Sequence, residues 1–159
     1  MGEGAGRTAA SRASSLSLGL IAPDLVSLLD RVSDARRRRV VSVVCDLAIS
    51  NVGLLDVRAE QALAALASGH HGDAAKRRAV KELAEELDNA ARMTQERVRV
   101  GTAVHEDFLR SLARVRAAAA LAYAFDDDSL MAASEALYEA HHAILDFDML
   151  RTVVVANVQ

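Results

Sequence analysis

The sequence predicts an all-α fold, a single-domain bundle of about five or six helices with a long antiparallel hairpin formed by helices near 73–100 and 102–125. Three observations lead there. Apolar residues make up 52% of the chain and are mainly Ala, Leu and Val, whereas aromatics are only 3% and Trp is absent. Such a core suits closely packed helices better than roomy pockets. Apolar positions recur at three- and four-residue spacing over long segments. Proline occurs once, as Pro23, and the glycines stand between the periodic segments, as in a chain of uninterrupted helices. At 159 residues the chain has the length of one domain.

Residues 1–22 read as a flexible or loosely docked tail. The stretch is poor in acids, and its apolar part, LSLGLIA, is short and lacks a clear cleavage site. The bundle is then expected over 23–159. Pro23 opens a first helix at a first-turn position, where its missing N–H costs nothing. Ser33 or Asp34 can cap a second helix to about Ser50, with Val40, Val43, Val44 and Leu47 at helical spacing and Asn51 and Gly53 as its end. A third helix, DVRAEQALAALAS, stops at Gly69, a suitable left-handed position. Asp73 caps the longest helix, whose buried face is expected to carry Val80, Leu83, Leu87, Ala90, Ala91, Thr94 and Val98. After a break at Gly101, Thr102 is the expected N-cap of a fifth helix with Phe108, Leu112, Val115, Ala119 and Tyr123 as its apolar stripe. Asp126, Asp127 and Asp128 separate it from a sixth helix and favour that helix's start through the macrodipole. The terminal TVVVANV is compatible with helix or with an extended tail.

Chemistry is concentrated in EALYEAHHAILDFD, residues 135–148. On a helical wheel Leu130, Ala133, Leu137, Ala140 and Ile144 form the expected buried stripe, and Glu135, Glu139 and His142 fall on the opposite, solvent side. Glu139-x-x-His142 has the spacing used in di-iron carboxylate bundles, but a second such motif is missing. No metal and no cofactor are therefore expected. His141 lies at the edge of the apolar stripe. His105 and Arg116 fall on the apolar side of the fifth helix, where an arginine must snorkel or meet a carboxylate. On that reading Arg116→Met is expected to cost little. His70 and His71, in SGHHGD, are placed in a loop. Cys45 is the single cysteine and sits in VVSVVCDLAI, a buried thiol suited to a reducing, cytoplasmic setting. The longest apolar run, 40–55, is interrupted by Asp46 and Asn51 and is too short for a bilayer. P-loop, dinucleotide, Gly-x-Ser-x-Gly and paired CxxC motifs do not occur.

Arg36, Arg37, Arg38 and Arg39 stand in the first turns of the second helix. Four consecutive residues fan around most of a helix, so they cannot all face one partner. From Asp126 onward seven acidic residues stand against Arg151 alone, which makes pairing between the two regions an expectation. Residues 45–64 place Gly53 between two helical stretches, as a DNA-binding helix-turn-helix would. The second of these stretches sets Arg58 against Asp56 and Glu60 and lacks the positive charge of a DNA reader.

The stretch ALAALASGHHGDAAKRRAVKELAEELDNAA, followed by RVRAAAALAYAFDDDSLMAASEALYEAHHAI, resembles small all-helical hypothetical proteins of high-GC bacteria over roughly the last two thirds of the chain. The resemblance implies a cytoplasmic bacterial helical protein and supplies no catalytic residues. The expected function is therefore a non-enzymatic protein-interaction module: an adaptor, an accessory subunit or an immunity-type binding protein. Its partner would be another protein, with self-association as an option, and neither membrane nor nucleic acid. Interaction candidates are Arg36, Arg37, Arg38, Arg39, Arg116 and His141. The alternative is a DNA-binding regulator acting through residues 45–64, with an enzyme or metal protein third.

Overall fold

Several helices in this chain start at a side-chain acceptor just ahead of them, and the sequence reading names Ser33 and Asp73 among these. The computed structural model describes residues 17–159. They form α1 (17–21), α2 (Pro23–Arg31), α3 (Asp34–Val52), α4 (Val57–Ala67), α5 (Ala74–Arg99), α6 (His105–Tyr123), α7 (Ser129–Ile144) and α8 (Phe147–Val158), with no strand among the described residues. Ser33 accepts from the Arg36 amide, Asp56 from Arg58, Asp73 from Ala75 and Lys76, and Asp128 from Leu130 and Met131. Each satisfies amide groups that the first turn leaves without partners. Gly53 ends α3 at φ +64°, a left-handed conformation that glycine adopts without strain.

Among the described residues, eight helical segments replace the expected five or six. One addition is α1, inside the expected tail: Leu18 and Ala22 are fully buried, so packing begins before residue 23. Residues 1–16, the rest of that tail, lie outside the described residues. The other arises at Leu145, which takes a left-handed φ of 59° and ends α7. Asp146 then accepts from the Met149 amide and starts α8, so TVVVANV is helical. Thr102 is not the N-cap of α6. Its amide and hydroxyl both bond the Arg97 carbonyl, closing the end of α5, and the Asp107 carboxylate accepts from the Val104 amide at 3.2 Å to begin α6.

One hydrophobic core cluster draws on α1 to α8. At its centre is α7, packed on α3 and α6 and touched by α2 and α8. The expected stripe of α7 is confirmed at Ala133, Leu137 and Ala140, but Ala132, Ser134, Ala136, Glu139 and Ala143 are also buried, so the helix has no wet side of the expected kind. In α6 the expected stripe at Phe108, Leu112, Val115 and Ala119 is half-buried and Tyr123 is 40% exposed. Full burial falls instead on Ala117, Ala118, Ala120 and Leu121, because the later turns of α6 pack on α3 and α7 as well as on α5. On α5, Val80, Leu83 and Ala91 are buried as expected, whereas Ala90 is exposed. No helix among the described residues is long and apolar enough to cross a membrane.

Cys45 lies in α3 with no exposed surface, and burial, aided by the Asp46 charge, pushes its thiol up to about 12. The thiolate is the reactive form. The native protein is therefore expected to resist a thiol-modifying disulfide reagent at pH 8, reacting at the rate at which the bundle unfolds. Labelling as fast as a free cysteine would place Cys45 elsewhere.

Candidate functional site

Four successive arginines at the start of α3 point around the helix at about 100° intervals, and three of them reach the C-terminal end of a different helix. Arg36 donates to the carbonyls of Val158 and Gln159, at the end of α8. Arg37 donates to Leu29 O at 2.7 Å and Asp30 O at 2.8 Å, in the last turn of α2, and pairs with Asp34 at 3.0 Å. Arg38 donates to Ala124 O at 3.1 Å, Asp126 O at 2.6 Å and Asp127 O at 2.9 Å, where α6 gives way to α7. Helix C-termini present carbonyls without intrahelical donors and carry partial negative charge, so these guanidinium groups satisfy both needs. The Ser129 hydroxyl, followed by Arg37, holds the Asp34 carboxyl below its ordinary range. Arg36 and Arg39 are both exposed, and of the four only the Arg39 side chain makes no hydrogen bond or ion pair among the described residues.

Arg38 thus contacts the acidic C-terminal third at backbone carbonyls, while the Asp126, Asp127 and Asp128 carboxylates act on it through charge. Most of those carboxylates have local tasks. Asp128 and Asp146 cap helices, and Asp126 accepts from the Asp128 amide and lies 3.9 Å from Arg77. Glu139 is buried against Arg116, with oxygens at 3.1 Å and 3.4 Å from its Nη1. This corrects the placement of Glu139 on the solvent face: the wheel showed its angle, but α6 covers that angle. Glu135 and His142 are half-buried, and His142 Nδ1 lies 2.9 Å from the Tyr138 carbonyl oxygen. His141 packs edge-on to Phe147 at 5.1 Å and 5.1 Å from His142; burial, then the His142 charge, lowers its pKa. Its Nδ1 is buried without a hydrogen-bond partner. His105 is exposed at the start of α6, not on its buried side, and its ring is 6.2 Å from Phe108. Among the described residues, no group of three His, Cys, Asp or Glu is arranged to hold a metal ion.

The candidate helix-turn-helix is α3, the turn at Gly53 and α4. On α4 the basic residue Arg58 is held by Asp56 at 3.0 Å and by Glu86 at 2.7 Å, which ties the start of α4 to α5. Val57, Glu60, Gln61, Ala64 and Ala67 form its exposed surface, which carries no cation.

A feature that the sequence reading missed is the free end of the α5–α6 hairpin. The 26 residues of α5 span about 39 Å at the usual helical rise, and only its first half, as far as Leu87, joins the core. Between Leu83 and Ala117 the one fully buried residue is Ala91, which does not belong to the core cluster. The two helices there form an arm that packs mainly on itself and exposes Met93 by 71%, Val104 by 62%, Val100 by 56% and Leu109 by 50%. Met93 and Val100, seven residues apart and off the expected stripe of α5, were the available signal. One flank of the arm holds a groove of about 460 Å3 with Arg92, Glu96, Arg99, His105 and Phe108 among its walls. The opposite flank holds a groove of about 380 Å3 lined by Thr94, Arg97, Asp107, Arg110, Ser111 and Arg114.

Compared with protein-family models, with curated proteins and with solved structures, the chain shows no match.

Proposed function

We propose that the chain is a non-enzymatic helical interaction module, an adaptor, accessory subunit or immunity-type binding protein of a bacterial cytoplasm, and that the arm is the part that engages its protein partner. The observation that carries this reading is the arm itself: a packed helix pair that leaves Met93, Val100, Val104 and Leu109 in water while contributing almost nothing to the core. Exposed apolar side chains on a protrusion are a common basis for protein recognition. The arginine run, offered by the sequence as an interaction candidate, serves the fold at Arg36, Arg37 and Arg38, and Arg116 likewise bridges α6 to α7. Arg39 and His141 remain secondary candidates. The uncharged and acidic face of α4 supports a protein partner over DNA.

The test compares the wild-type chain with M93E/L109E as immobilised bait. Both positions are exposed, so stability is expected to change by no more than about 0.5 kcal/mol for each. A protein retained by the wild type and lost by the variant, with both melting alike, supports the reading. A partner held equally by both would remove the arm from the interface. Sedimentation of the purified chain across a concentration series distinguishes self-association, which the same variant is expected to abolish if a second copy is the partner.

A further inference from the structure

The two flanks of the arm treat their arginines differently. On one, Arg92 and Arg99 are each neutralised within α5, by Asp88 and Glu96. On the other, Arg97, Arg110 and Arg114 line a single groove whose one carboxylate is Asp107. Asp107 is already used by the Val104 amide and lies a loose 3.6 Å from Arg110. Neither Arg97 nor Arg114 has a carboxylate partner among the described residues. The Nε of Arg114 is moreover buried with no acceptor. Arginine stays charged in proteins, so the groove gathers three cations around one carboxylate.

A bound oxyanion offsets that excess positive charge. Guanidinium groups donate in a planar fork that matches carboxylate and phosphate oxygens, and such charge-assisted bonds are the strong ones. Charge decides between those two anions. Three arginines and one aspartate leave an excess of two positive charges, which a phosphate ester, at about −1.5 to −2 near pH 7, balances better than one carboxylate. We propose that this groove binds a phosphate-type dianion, held by Arg97, Arg110 and Arg114. The proposal goes beyond the docking reading and can fail separately, since Met93 and Leu109 do not line the groove.

Calorimetric titration of the full chain with inorganic phosphate, at ionic strength held constant with chloride, is expected to show one saturable site. R97Q/R114Q should weaken it at least tenfold. R92Q/R99Q, the same charge change on the other flank, should leave it unaltered. Affinity for O-phosphoserine is expected to fall as pH drops through about 6, where the ester dianion takes up a proton. O-Phosphoserine binding tighter than inorganic phosphate indicates an ester-borne group as the natural ligand, and equal or weaker binding indicates the free ion. If R97Q/R114Q does not fold, arginine Nε resonances of the wild type decide: phosphate must shift those of Arg97, Arg110 and Arg114 and spare Arg92 and Arg99. Absence of saturation at constant ionic strength, or equal losses in the two double variants, would overturn the site.

Discussion

Arg38→Ala is expected to destabilise the bundle by about 3 kcal/mol, the net worth of two or more hydrogen bonds to a charged group, whereas Arg39→Ala next to it is expected to change stability by less than about 0.5 kcal/mol. Both substitutions remove one positive charge from the same turn of α3. They differ in what the guanidinium meets. Arg38 closes three carbonyls between Ala124 and Asp127, and Ala124 itself is fully buried. Burial lowers the pKa of Arg38 while Asp126 opposes that shift, as expected of a cation withdrawn from water and compensated locally. Without it the Ala124 carbonyl has no substitute donor at hand, and the turn that aligns α6 with α7 loses its tie to α3. Arg38→Lys keeps the charge but cannot span three acceptors, so about half of the loss is expected to remain. Urea unfolding of the three variants checks this. Equal midpoints for R38A and R39A would show that the run acts through charge alone.

The fan of arginines was legible in the sequence, but its acceptors were not. Spacing along one helix shows that Arg36 to Arg39 diverge; which helix ends arrive there is set by tertiary packing. The same division holds elsewhere. Ser33, Gly53, Gly69 and Asp73 could be read because a cap and its helix lie within a few residues of each other. Thr102 failed because two helix ends compete for it, and the Arg97 carbonyl of α5 took both its amide and its hydroxyl. The α7 wheel failed for a compositional reason. Alanine is small enough to be buried or exposed with little difference in free energy, so an alanine-rich helix can be covered on nearly every side without an apolar stripe to announce it. The arm was hidden for the converse reason: its α5 face keeps the pattern of a core helix beyond the point where the core ends.

Glu139 is the position where that burial has the largest consequence, and it reverses the expectation that Arg116→Met costs little. The pair is asymmetric: the Arg116 side chain is 39% exposed, but that of Glu139 is only 10% exposed. Removal of Arg116 alone leaves the more buried partner as an uncompensated carboxylate, for which about 2 to 4 kcal/mol of destabilisation is expected, the exposed half of the pair keeping it below the figure for a fully buried one. Glu139→Gln alone should cost only about 1 kcal/mol, because Arg116 can turn to water and the amide still accepts a hydrogen bond. In R116M/E139M neither charge remains, and apolar side chains fill the space between α6 and α7. That double variant is expected to regain most of the stability lost in R116M, and a double-mutant cycle closed with E139M is expected to give a coupling of at least about 1 kcal/mol. Additive losses in the cycle would mean that the two side chains meet without interacting. A stable R116M single variant would return Glu139 to the solvent side where the wheel had placed it.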